Sequence, residues 1–265
     1  MPSYRMLQID AFTDRLFHGN PAAVMPLDGW LPDVTLQAIA EENRLSETAF
    51  FVRTPMGPCD FHLRWFTPTA EVELCGHATL ASAHALWHHL GHESDDVSFE
   101  SRSGRLGARR DGDLIELDFP VKGFEPSEAS DAICEALGAR PAQAFRGMDL
   151  LCVYDNEREV LDMAPNFYAL GAASDTRAII ATAPGRSHDF VSRVFAPSVG
   201  ISEDPVTGSA HCLLAPYWGE RLDKRVLSAR QASARGGDIR CTLEGSRVLL
   251  AGRAVTFFDA QVELP

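Results

Sequence analysis

Two stretches of this chain answer each other across half its length. Arg64-Trp-Phe-Thr-Pro68 returns as Arg193-Val-Phe-Ala-Pro197, offset by 129 positions in 265 residues. Each copy is followed by a polar loop and then by a glycine that opens a small-residue helix ending near a tryptophan. The first helix begins Gly76-His-Ala-Thr-Leu-Ala and reaches Trp87; the second begins Gly208-Ser-Ala-His-Cys-Leu and reaches Trp218. A strand motif, a glycine and a helix recurring in one order are the mark of an internal duplication. The chain is therefore expected to fold as two similar α+β halves.

Local patterns fill in the elements. Tyr4 to Thr13 reads as a strand, and Gly19 to Met25 as a turn leading into a second. Asp33 is placed as the cap of a helix through Asn43, because Leu36, Ile39 and Ala40 recur at helical spacing. Strands follow at Glu47 to Arg53 and at the alternating Phe61, Leu63 and Trp65. A helix from His77 to Leu90 stops at Gly91, a natural C-terminal glycine. Strands return at Val97 to Ser101 and Leu114 to Phe119. In the second half a helix is expected from Glu128 to Leu137, then strands around Leu150 to Tyr154 and Arg177 to Thr182. The turn formers of Pro120 to Gly123 place the boundary, giving domains 1–119 and 120–265, with the final strand, 254–262, able to return to the first.

A formal charge of −13 argues against nucleic acid or an anionic membrane surface as a partner, since phosphates need a positive field. No apolar run approaches the roughly 20 residues of a membrane helix. The N-terminus carries no basic segment followed by an apolar one, and the six cysteines are scattered without a CxxC pair. A cytoplasmic protein with reduced thiols is expected. Neither GxGxxG after a strand nor GxxxxGK[ST] occurs, so no nucleotide cofactor is expected.

The glycine-opened helices suggest the chemistry. The first turn of a helix holds unpaired N–H groups at the positive end of its dipole, and glycine lets a ligand come close. Two such ends acting on one anion would hold a carboxylate or an enolate-like charge without a cation. Gly76 and Gly208 also serve simply as turn residues, and the duplication is what favours the functional reading. Ionisable side chains gather at the same junctions: His77 and Ser209 at the helix starts, Asp204 before Gly208, and Ser46-Glu47 where a helix gives way to a buried strand. Partial burial of Glu47 would raise its pKa toward values useful for proton transfer, whereas an exposed strand-end glutamate would be ordinary.

Four segments carry a resemblance. FTDRLFHGNPAAV (Phe12 to Val24), IAEENRLSETAFFV (Ile39 to Val52), RWFTPTAEVELCGHATLASAHAL (Arg64 to Leu86) and GISEDPVTGSAHC (Gly200 to Cys212) resemble the hallmark segments of the PhzF-like phenazine-biosynthesis family. The resemblance implies a fold like diaminopimelate epimerase: two pseudo-symmetric α+β domains, each a curved, mostly antiparallel sheet around a central helix. It implies a cofactor-independent isomerase, as in tautomerisation of trans-2,3-dihydro-3-hydroxyanthranilate, with Glu47 as general acid/base. His77, Asp204 and Ser209 would hold polar groups of a small carboxylated, amino-acid-like substrate and relay protons. Substrate contacts are expected at Ser46, Gly76, Gly208 and Asn20. A homodimer is expected from the resemblance alone.

Three rivals stand beside it. An epimerase or racemase would use Cys75, which precedes Gly76 at a helix N-terminus that favours a thiolate. The second half has no cysteine before its glycine, so Cys75 reads better as a small buried apolar residue whose change to alanine is nearly silent. A metal site could use His84 and His88, an i, i+4 pair, but the glutamate of HExxH is absent and no metal is expected. A non-catalytic small-molecule-binding protein on the same fold would be expected to lack one of Glu47, His77, Asp204 or Ser209, and all four are present.

Overall fold

The computed structural model describes residues 1–264, which form two compact units. One holds Met1–Asp118 together with the stretch from Ala251 onward; the other is Phe119–Leu250. The first contains β1 (Ser3–Ala11), β2 (Asn20–Leu27), α1 (Asp33–Asn43), β3 (Glu47–Arg53), β4 (Phe61–Phe66), β5 (Glu71–Val72), α2 (Gly76–His89), β6 (Asp96–Ser101), β7 (Gly104–Asp111) and β8 (Leu114–Pro120). The second contains β9 (Glu125–Ser127), α3 (Asp131–Leu137), β10 (Gln143–Arg146), β11 (Leu150–Val153), α4 (Glu157–Leu161), α5 (Phe167–Ala173), β12 (Ile179–Pro184), β13 (Phe190–Ala196), β14 (Ile201–Asp204), α6 (Gly208–Leu222), β15 (Val226–Gln231), β16 (Gly237–Glu244) and β17 (Arg247–Gly252). The last strand, β18 (Ala254–Glu263), pairs antiparallel with β1 and so belongs to the first unit.

Strand pairing repeats from unit to unit. In the first, β1–β2 is antiparallel, β2–β3 parallel, β3–β4 and β4–β5 antiparallel, β4–β6 parallel and β6–β7 antiparallel. In the second, β10–β11, β11–β12, β12–β13, β13–β14, β13–β15 and β15–β16 run through the same sequence of directions. The mixed α+β architecture expected from the duplication is present, down to the order of parallel and antiparallel ladders.

The repeated arginines explain why the strand motif recurs. In the first unit Arg64 grips Glu71 with two hydrogen bonds, Nε to Oε1 at 2.7 Å and Nη2 to Oε2 at 2.8 Å, and its guanidinium lies 5.0 Å from the Phe66 ring centre. In the second unit Arg193 grips Glu203 at 2.8 and 2.9 Å and lies 5.0 Å from the Phe195 ring centre. Each fork ties the strand carrying the arginine to the short strand that leads toward the glycine-opened helix.

Those helices are the cores of their units. Every residue of α2 from His77 to Trp87 is buried, and α6 buries all but a few positions before its last turn. A helix apolar all round must be enclosed. Ala78, Ala81, Ala83 and Ala85 keep α2 slim, while the Thr79 and Ser82 hydroxyls donate back to Cys75 O and Ala78 O at 2.6 and 2.7 Å. Their polarity is thereby satisfied inside the helix itself.

Two expected helix starts shift. Pro32, not Asp33, occupies the N-cap of α1, and the Asp33 carboxylate instead accepts from Arg64 Nη1 at 2.9 Å. Helix α3 begins three residues later than Glu128, because Ser130 caps it by accepting from Ile133 N at 3.3 Å. No helix among the described residues is long and apolar enough to cross a membrane.

Candidate active site

In the first unit the strand β3 and the helix α2 deliver three side chains to one spot. Glu47 opens β3, opposite Ala22 of β2, and its side chain is only 14% exposed. Cys75 sits at the N-cap of α2 in extended conformation, Gly76 is the first helical residue and His77 the second. His77 Nε2 lies 3.2 Å from Glu47 Oε2, and His77 Nδ1 lies 3.5 Å from Cys75 Sγ. Carboxylate, thiol and imidazole thus form one cluster, a donor atom of each lying within 4.8 Å of the others, and the 3.2 Å approach of Nε2 to Oε2 is a close contact without hydrogen-bond alignment.

Burial sets its protonation. Enclosure of the ring pushes the His77 pKa down to about 3, so the imidazole is neutral near pH 7. A neutral imidazole has one N–H and one lone pair, so it donates on one side and accepts on the other.

Asn20 and Ser46 flank this cluster in sequence. Ser46 immediately precedes β3. Asn20 is fully buried at the start of β2, paired across the ladder with Ala11. The turn before it depends on Gly19, whose φ is +65°; a Cβ there would come within 2.1 Å of Ala11 O. The preceding loop is tied by the Phe17 N–H, which donates to Asp10 Oδ2 at 2.9 Å.

In the second unit Asp204 ends β14 and Thr207 caps α6. The Thr207 hydroxyl donates to Asp204 Oδ2, and the Thr207 N–H donates to Gln231 Oε1 at 2.8 Å. Gln231 Nε2 donates in turn to Asp204 O at 2.7 Å. Gly208 is the first residue of α6 and Ser209 the second. Ser209 Oγ accepts from Arg177 Nη2 at 3.0 Å, and Arg177 is clamped by Asp149, Nε to Oδ1 at 3.0 Å and Nη2 to Oδ2 at 2.6 Å. The Asp149 side chain is 3% exposed.

This corrects one expectation. The N-terminus of α6 does not lack a cation: Arg177, half-exposed and held by a buried carboxylate, stands against the hydroxyl of Ser209. Neither Arg177 nor Asp149 was among the residues the sequence singled out. Cys75 is also more than apolar filling. It is buried as expected, but its sulfur contacts the ring of His77.

The remaining candidates resolve into structural roles. Cys212, a turn inside α6, donates to Gly208 O at 3.5 Å, and burial pushes its thiol up to about 12. It supplies no thiolate near pH 7. His84 and His88 stack with ring centres 4.1 Å apart; His84 Nε2 meets Thr256 Oγ1 at 3.0 Å, and His88 Nδ1 meets His84 O at 3.2 Å. The donor set best grouped for a metal is Glu47, Cys75 and His77, all within 4.8 Å of one another. Its two closest contacts use different nitrogens of one ring, Nδ1 toward Cys75 Sγ and Nε2 toward Glu47 Oε2.

Known proteins share this arrangement of chain. The family model described as phenazine biosynthesis-like protein matches residues 9–260. A Pseudomonas aeruginosa protein named as an uncharacterized isomerase is 49% identical over 259 residues, covering 98% of both chains. The mouse phenazine biosynthesis-like domain-containing protein 1 is 42% identical over 277 residues, covering 94% of this chain and 96% of its own. The crystal structure of a PhzF-family phenazine biosynthesis protein from Enterococcus faecalis superposes with a TM-score of 0.96 at 43% identity, covering 99% of this chain and all of that one.

Proposed function

The chain belongs to the phenazine biosynthesis-like family and is an isomerase of that type, and on this premise we propose that Glu47 moves a proton between two carbons of a small carboxylated, amino-acid-like substrate. The observation that carries the proposal is the Glu47 carboxylate, mostly enclosed and 3.2 Å from the ring of a neutral histidine. In the proposed step the carboxylate takes a proton from one carbon, the electron pair moves along the adjoining double bond, and the same carboxyl returns the proton to a second carbon. Isomerisation of trans-2,3-dihydro-3-hydroxyanthranilate to its keto tautomer is a reaction of this form. One base suffices because donor and acceptor carbons lie on one face of the ring.

His77, Asp204 and Ser209 are assigned to hydrogen-bonding the polar groups of the substrate, with the backbone at Gly76 and Gly208 and the side chains of Ser46 and Asn20 as further contacts. A helix N-terminus favours negative charge on a bound carboxylate or on the developing enolate. A two-thiol epimerase is disfavoured by the second unit. Thr207 stands where Cys75 stands in the first, and Cys212 is a protonated, hydrogen-bonded thiol.

The test is ultraviolet spectroscopy of trans-2,3-dihydro-3-hydroxyanthranilate in D₂O. Spectral change with carbon-bound deuterium from the native chain, and neither from Glu47→Gln, supports both the substrate and the base. Absence of change with the native chain removes this substrate and leads to other small amino and hydroxy acids, followed by deuterium uptake. The homodimer proposed alongside is read by sedimentation equilibrium.

A further inference from the structure

Three tryptophans are buried, and two of them are satisfied. Trp87 Nε1 donates to Ser94 O at 2.8 Å, and Trp218 Nε1 donates to Thr182 Oγ1 at 3.0 Å. Trp65 is 1% exposed, and its Nε1 has no hydrogen-bond partner among the described residues. An indole N–H can only donate, and buried ones ordinarily find an acceptor. Leaving one without an acceptor costs stability.

Sheet register fixes the face on which Trp65 lies. Phe50 and Phe66 pack with Ala23, Met25 and the α1 residues Leu36, Ile39 and Ala40 in one apolar cluster, so α1 covers that face. Side chains alternate along a strand, which puts Trp65, Ala49 and Val24 on the opposite face, where α2 packs against β2 and β3. Glu47 comes two residues before Ala49 and shares this face. Ala49 is directly opposite Trp65, so Glu47 is its diagonal neighbour. Such neighbours are about 7–8 Å apart, within reach of an aromatic side chain. On its other side Trp65 pairs with Val72, three residues before the N-cap of α2. Trp65 is thus flanked by the strand that carries Glu47 and by the strand that leads to the start of α2.

The internal repeat separates this indole from the needs of the fold. In the second unit β12 and β13 pair as β3 and β4 do, with Ile180 opposite Val194 where the first unit has Ala49 opposite Trp65. The place of Glu47 is taken by Ala178 and that of Trp65 by Val194. The unit without the base also lacks the indole, and it completes the same ladders.

We propose that Trp65 is a substrate-binding residue whose indole N–H donates to a carboxylate oxygen of the molecule that Glu47 deprotonates. This role rests on the proposed reading of Glu47 as the base, and it adds a requirement for an oxygen acceptor on the substrate. The indole is uncharged and keeps its proton throughout, so the hydrogen bond is the same before and after proton transfer at carbon. Its loss therefore weakens substrate and transition state alike and shows in KM rather than in kcat. In the unliganded chain the same N–H is a cost. Trp65→Phe removes the donor and part of the ring. Site-specific replacement of Trp65 by 3-benzothienylalanine keeps the bicyclic shape and puts sulfur in place of N–H, which isolates the donor from the packing.

The experiment follows the indole N–H resonances of the ¹⁵N-labelled full chain, with Trp65 assigned by its loss in Trp65→Phe or in the benzothienyl chain. In the free chain the Trp65 proton should lie upfield of those of Trp87 and Trp218, as an unbonded donor does. Glu47→Gln, which binds without turnover, is then titrated with trans-2,3-dihydro-3-hydroxyanthranilate and with the small amino and hydroxy acids into which the native chain exchanges deuterium. The expected result is a downfield shift of Trp65 that saturates with binding. On a substrate that the native chain turns over, the benzothienyl chain should show KM raised about tenfold or more and kcat within about threefold, since a hydrogen bond to a charged group is lost from ground and transition state together. Its urea midpoint without ligand should equal or exceed the native one. A Trp65 resonance already shifted downfield in the free chain overturns the proposal, as does a native KM in the benzothienyl chain. Binding that leaves Trp65 unmoved overturns this role alone, with Glu47 untouched. If no carboxylate binds, the carboxylate reading of the site falls and this role falls with it.

Discussion

Arg193 repeats, 129 positions further along the chain, the two-pronged carboxylate grip and the phenylalanine contact that Arg64 makes in the first unit. The two sites differ in their reserves. Glu71 is also met by Arg102 Nη2 at 2.5 Å, while Arg193 Nη1 additionally donates to Val160 O and Met163 O at 3.2 and 2.7 Å. Removing Arg193 therefore strands a mostly buried carboxylate and two carbonyls. Arg193→Met should cost about 3–5 kcal/mol, and Arg64→Met clearly less. Urea unfolding of the two variants gives the comparison directly, and equal losses would mean that Arg102 does not compensate.

Replacing Glu47 by glutamine preserves shape and removes the base. Turnover should fall by at least about 100-fold, with the thermal midpoint within a few degrees of the native value. Deuterium incorporation at carbon measures the first quantity and calorimetry the second. Near-normal exchange by a folded Glu47→Gln would assign the base elsewhere.

Arg177 and Ser209 make a separate prediction. Because the guanidinium can only donate, Ser209 Oγ accepts from it and keeps its own hydrogen for another partner. Arg177→Met should raise KM for a carboxylated substrate about tenfold, with a smaller change in kcat, and Arg177→Lys should recover only part because it cannot reproduce the fork on Asp149. Steady-state kinetics on both variants decides; identical KM values would leave Arg177 a purely structural residue.

Acid should destabilise the fold before carboxylates titrate. Burial lowers the pKa values of His77 and His84 to about 3 and of His211 to about 4, all below the ordinary 6.5. Between those values the unfolded chain binds more protons than the native one, so stability is full above about pH 6.5 and falls as the pH drops toward 4. The urea midpoint at pH 5 should lie below that at pH 7, and His84→Gln should flatten the dependence. A midpoint that rose on acidification would contradict buried neutral rings.

Gly19→Ala tests the turn that sets Asn20. The residue would adopt a positive φ and press its Cβ against Ala11 O. A loss of about 2 kcal/mol or more is expected, measured by chemical unfolding. A loss under half that would show that the turn relaxes without consequence.

Much of this was legible locally. Glycines at helix starts, an alternating strand before a polar loop and a recurring arginine are short-range signals, and they located Glu47, His77 and Ser209 at the ends of elements. The partner of Ser209 was not legible, because it is made by topology. Asp149 and Arg177 lie in separate connections and meet only because β11 and β12 pair in parallel with Leu150 opposite Ile179, bringing the residues just ahead of each strand together. The helix starts at Asp33 and Glu128 were misplaced for a similar reason. Arg64 from a distant strand takes up the Asp33 side chain, and the choice among Ser130 and its neighbours as cap depends on chain direction rather than residue type. For Cys75, burial was readable from composition, but its contact with His77 follows from the extended backbone at the N-cap, which turns the sulfur back toward the second helical residue.

The pairing of β18 with β1 also dictates an order of assembly. Ser3 to Ala11 meet their partners, Glu263 back to Ala254, only after β9 to β17 have been made. During synthesis the unit that begins second has all its strands available first, while the unit that begins first waits with β1 unpaired on one side. An exposed strand edge of nine residues is a site for wrong pairing. Nascent chains stalled before Ala254 should therefore be the ones that chaperones hold and that aggregate, and release should coincide with emergence of the last strand.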